Sequence, residues 1–159
     1  MKNTLIILAF VSGVVLSEEN CDYSQEYQKG KLSKIAAAYD GSKLDLEGRV
    51  VSWNLKSGGK IIYGYGGCAH IGHSVTLVEH LEKEPSENEI FTKAQALADE
   101  FWGKIDASHL KTALQSKKYV IEKVELEKYY VLEHPYLIEF NVIFEYQHNE
   151  SRVTISSVD

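Results

Sequence analysis

The sequence predicts an α+β protein. Its expected form is an antiparallel sheet of about five to six strands, with one main helix (about 86–102) packed on one face and an N-terminal helical segment. Three observations lead there. Tyr136, Ile138, Phe140, Val142, Phe144 and Tyr146 alternate against Glu139, Asn141, Glu145 and Gln147, the period of a half-buried strand. Ile90, Ala94, Leu97, Ala98, Phe101 and Trp102 recur at helical spacing behind a helix-start signal. Strand-like segments are joined by short turns, which makes their pairing antiparallel.

Taken in order, residues 23–39 favour a helix, with Leu32, Ile35, Ala36 and Tyr39 on one stripe and Gly30 weakening its first half. Asp40-Gly41-Ser42 supplies turn residues that end it. Arg49 to Leu55 reads as a strand, with Val51, Trp53 and Leu55 on one face. The loop from Lys56 to Lys60 holds Gly58 and Gly59, which reverse the chain into a strand from Ile61 to Tyr65. A third strand is expected from Ile71 to Leu81. Ser86 and Glu89 then form an S-x-x-E capping box, each side chain satisfying a backbone N–H at the start of the main helix. Gly103 is expected to end that helix in a left-handed turn. Asp106 is expected to cap a shorter helix reaching Lys117 and burying Leu110, Ala113 and Leu114. Tyr119 to Glu133 reads as sheet with one solvated face, His134-Pro135 as a break, and Val153 and Ile155 as a final strand after a turn at His148–Ser151.

Lys2, the apolar run Leu5–Leu16 and the small residues Val15 and Ser17 have the layout of a secretory signal peptide. Cleavage is expected near Glu18, with residues 18–159 forming a single α+β domain in the periplasm or outside the cell. The apolar run is short for a membrane span, so no span is expected in the mature chain. The net charge of −6 becomes −7 once Lys2 leaves. That balance argues against nucleic acid, whose phosphates are bound by clustered Lys and Arg, and is compatible with a cationic protein partner. Cys21 and Cys68 have a single possible intramolecular pairing, and an oxidising compartment favours it.

Tyr63 to His73 is the most unusual stretch. Gly64, Gly66, Gly67 and Gly72 let the backbone turn sharply or approach a partner, and two tyrosines and two histidines accompany them. The chain is therefore expected to be a small exported binding protein, of the inhibitor, immunity or recognition type. Its binding residues would be Tyr63, Tyr65, His70 and His73, on a loop anchored by the Cys21–Cys68 disulfide. The alternative is an exported enzyme or metal protein centred on His70 and His73. His70 and His73 would point to opposite faces of a regular strand, and the Cys68 thiolate would be consumed by the disulfide, so no metal or other cofactor is expected. No nucleophile elbow or phosphate loop is present, so no catalytic residue is singled out. Oligomeric state is left open by the sequence.

Overall fold

The computed structural model describes residues 24–47, 49–67, 70–132 and 139–158. Helix α1 (Gln25–Ala38) starts where extended Ser24 accepts the Tyr27 amide on its hydroxyl. Four strands follow: β1 (Lys43–Asp45), β2 (Val50–Asn54), β3 (Lys60–Gly66) and β4 (Gly72–His80). Next come helices α2 (Glu87–Phe101) and α3 (Lys104–Gln115), then β5 (Tyr119–Val124), β6 (Glu127–Leu132), β7 (Glu139–Gln147) and β8 (Glu150–Val158). The capping box forms as the spacing predicts. Ser86 Oγ accepts the Glu89 amide, and the Glu89 carboxylate accepts the Ser86 amide at 2.7 Å.

All eight strands make one antiparallel sheet in the order β1-β2-β3-β4-β8-β7-β6-β5. Each half is a four-stranded meander preceded by helix, and the halves meet where β4 pairs with β8. Thr76 and Thr154 lie opposite each other midway along that pair, their hydroxyls 2.8 Å apart.

The strands alternate, so one sheet face carries Val51, Trp53, Ile61, Tyr63, Val75, Val153, Ile155, Phe140, Val142, Phe144 and Tyr130. These pack with Leu32 of α1, with Ile90, Ala94, Leu97 and Ala98 of α2, and with Ala107, Leu110 and Leu114 of α3 in a single core. All three helices thus cover the same face. Burial of each large apolar side chain stabilises the fold by roughly 1.5–3 kcal/mol before the cost of ordering the chain. Lys93 on α2 also reaches Glu79 on β4 at 2.5 Å, tying helix to sheet at the margin of the core.

The structure corrects the expected architecture: the sheet has eight strands rather than five or six, and the shorter helix expected before Lys117 stands beside the main one as α3. β1 is three exposed residues long and has no alternating apolar pattern to reveal it. The segment from Tyr119 folds back on itself at Glu125-Leu126, a turn without Gly, Asn or Pro, in which Glu125 adopts a φ of 53°. That turn divides one expected strand into β5 and β6.

Two caps also differ. Gly103 is extended, at φ −64° and ψ 155°, and serves as the N-cap of α3 rather than as a left-handed stop for α2. Asp106 lies in the first turn of α3, where its charge suits the helix dipole, and it is not the cap. Residues 1–17, Cys21, Cys68, His134-Pro135, Tyr136 and Ile138 lie outside the described residues.

Candidate functional site

The corner between β3 and β4 is built from glycine for a steric reason. A Cβ on Gly67, whose φ is 157°, would stand 1.8 Å from the His70 carbonyl oxygen, so the turn closes only without a side chain. On the strand beside it, a Cβ on Gly64 would lie 2.6 Å from Ser74 Oγ. Helix α1 secures the corner from one side: Gln28 is buried and its Nε2 donates to the Gly67 carbonyl at 2.6 Å.

Three of the four expected binding residues come together, on the core-facing side of the sheet. Tyr65 and His73 are cross-strand partners, with ring centroids 6.2 Å apart. Tyr63 is one pair further along, 4.9 Å from the His73 ring. It is only 6 % exposed and belongs to the core rather than to an open surface. His73 is covered by Trp102, just past α2, at a centroid separation of 4.0 Å and an interplanar angle of 22°. Trp102 is in turn fixed by donating Nε1–H to Ser157 Oγ at 3.1 Å and by edge contact with Phe140. His70 is apart from this group, exposed on the loop.

Burial lowers the His73 pKa to about 4, with a smaller contribution from the Lys31 ammonium. Its imidazole is therefore neutral near pH 7, and its Nε2 is buried with no hydrogen-bond partner among the described residues. Burial also raises the Tyr63 pKa. A neutral imidazole stacked on indole can offer or accept one hydrogen bond. It carries no charge to attract an anion, and the rings around it restrict access.

The metal reading finds no support in this arrangement. His70 is exposed while His73 is packed under Trp102, and among the described residues no three of His, Cys, Asp or Glu are grouped to hold an ion.

The opposite side of the corner is open. Gly64, Ser74 and Ser156 form one row across β3, β4 and β8, all small, and with Gly66 and Gly72 they floor a groove of about 390 Å³. Arg49 borders it, its side chain passing close over Gly66. The glycine run was legible as a signal for this place. Arg49 and Ser156 were not, since only the sheet register brings them to it.

A second cavity, of about 620 Å³, lies between α2 and α3 against Phe91, Gln95, Leu114 and Tyr119. Sequence reasoning missed it because its walls come from the outward sides of separate segments. Its rim carries Glu87 and Asp99 as well as Lys111 and Lys117, so it selects no ligand charge.

Comparison with protein-family models, with characterised proteins and with solved structures finds no match. The functional reading therefore rests on geometry and chemistry alone.

Proposed function

We propose that this chain is a small exported binding protein, of the inhibitor, immunity or recognition type, that contacts a protein partner through the β3–β4 corner. The observation that carries this reading is the groove beside Gly64, Ser74 and Ser156, where backbone and small side chains lie open. A partner can approach main-chain groups there more closely than over any strand bearing large side chains. The corner is held in place by Gln28 on Gly67 and, beneath it, by His73, which stacks on Trp102 and meets Tyr65 edge-on. Such pre-organisation reduces the ordering entropy lost on association.

Roles divide by exposure. Arg49 offers a polar contact at the rim, His70 is exposed on the connecting loop, Tyr65 is half-buried, and Tyr63 and His73 support the corner from inside. The acidic balance of the chain suits a partner with a cationic surface. Export rests on the signal-like first seventeen residues.

The test is a pull-down from the compartment in which the mature chain accumulates, followed by affinity measurements on Tyr65→Ala and His70→Ala. Either substitution should weaken binding at least about tenfold if it removes an anchoring contact. Unchanged affinity in both, with unchanged thermal stability, would remove the corner from the function.

A further inference from the structure

Strand β5 ends the sheet, and no described strand pairs with its outer edge. The two edges of the sheet are unlike. β1 is three residues long, too short to template another strand, whereas β5 runs for six residues, five of them exposed. The helices reach only its first residue, Tyr119, whose hydroxyl donates to Glu87 of α2; Ile121, which points to the helix side, is 48 % exposed. Val120 and Val124 on the other face are 50 % and 54 % exposed, and Leu126 at the turn is 55 % exposed. Half of the eight large hydrophobic side chains exposed among the described residues thus lie on this one hairpin. A long apolar edge of this kind joins other chains unless something covers it.

We propose that the edge is covered by a second copy of this chain, β5 pairing antiparallel with β5 about a two-fold axis through Ile121. Self-complementarity carries the choice of occupant. A two-fold perpendicular to the sheet keeps each face continuous, so one residue must lie opposite itself. Centring on Glu122 or Lys123 sets like charge against like charge, which destabilises a cross-strand pair. Centring on Val120 pairs only Tyr119 to Ile121. Centring on Ile121 pairs Tyr119 through Lys123 and opposes no like charges: Val120 meets the partner's Glu122, and Tyr119 meets the partner's Lys123. Lys117 and Glu125, the left-handed residues that bound the strand at its two ends, then come opposite one another on both sides of the axis. The dimer removes the apolar edge from both copies and, being closed, leaves no second β5 edge for further growth.

Sedimentation of the mature chain over a concentration range is expected to show a species of twice the chain mass. Ile121→Lys sets ammonium against ammonium on the axis and should abolish that species, while Ile121→Val retains it. Far-UV circular dichroism identifies any variant that fails to fold. Ile121→Cys gives an independent reading: facing Cα atoms in an antiparallel pair lie about 4.5–5.5 Å apart, within disulfide reach. Mild oxidation should therefore link Ile121→Cys into a covalent dimer, with wild type treated identically as the control and Glu122→Cys remaining unlinked. A wild type that stays monomeric at every concentration overturns the proposal, as does a dimer that survives Ile121→Lys in folded protein. Preferential linking through Glu122→Cys overturns it too. None of these outcomes bears on the β3–β4 corner, which lies in the other half of the sheet.

Discussion

The imidazole of His73 lies nearly parallel to the indole of Trp102, with 4.0 Å between ring centroids. The pair joins a residue of β4 to the residue just beyond α2, so the neutral state of His73 is coupled to the seating of that helix.

Stability should accordingly depend on pH in a defined window. In the unfolded chain His73 takes a proton near its ordinary pKa of about 6.5, while in the folded chain it does so only near about 4. The unfolded state binds more protons between those values, so the contribution is complete above the upper value and is lost as pH falls through the lower one. Linkage puts the full contribution at about 3 kcal/mol. Comparing urea midpoints at about pH 7 and about pH 4.5 for wild type and His73→Phe measures it. The drop should be smaller in the variant, which keeps an aromatic ring but cannot titrate. An equal drop would assign the acid sensitivity to other groups.

Two glycine substitutions should act in opposite directions. Gly67→Ala places a methyl group against the His70 carbonyl and should destabilise by at least about 1–3 kcal/mol. Gly30→Ala, inside α1 with nothing within 4 Å of the new Cβ, should stabilise by about 0.5–1 kcal/mol. Thermal melts of both variants decide the matter. A destabilised Gly30→Ala would mean that α1 is not helical at that position in solution.

Phe140 is 2 % exposed and contacts Trp102 edge-on. Phe140→Ala should therefore cost about 3–5 kcal/mol of unfolding free energy. A loss below about 1 kcal/mol would place the core elsewhere.

A Cys21–Cys68 disulfide is expected from the sequence, because two cysteines allow one intramolecular pairing and an oxidising compartment favours it. Cys21 precedes the N-cap Ser24 by three residues, and Cys68 follows Gly67, whose carbonyl is held by Gln28 of the same helix. A bridge closing those 47 positions would add roughly 4 kcal/mol by loop-closure entropy. Mass spectrometry of exported protein alkylated without reductant reads the outcome, and two alkylated thiols would exclude the bond.

Periodic segments were the legible part of this chain. The alternation through Phe140, Val142 and Phe144 and the capping box at Ser86 each announced an element that forms close to where it was expected. What escaped notice had no local chemistry to mark it. Glu125 turns the chain with a positive φ that residue type does not advertise, and Lys43–Asp45 is a strand only because β2 lies beside it. At the corner, the glycines marked where the chain turns. The inward placement of Tyr63 and His73 depended on strand register and on the position of Trp102, which are tertiary facts.

The Thr76–Thr154 seam has a consequence for how the sheet assembles. Within β1–β4 and within β5–β8, every pairing joins neighbours in the chain, so each meander can zip up from local turns. The seam alone joins segments 78 residues apart, and the entropic cost of closing that loop falls on this one step. Closure should therefore come late. Loosening the seam at Val75 or Ile155 should then chiefly hasten unfolding, leaving the refolding rate nearly unchanged.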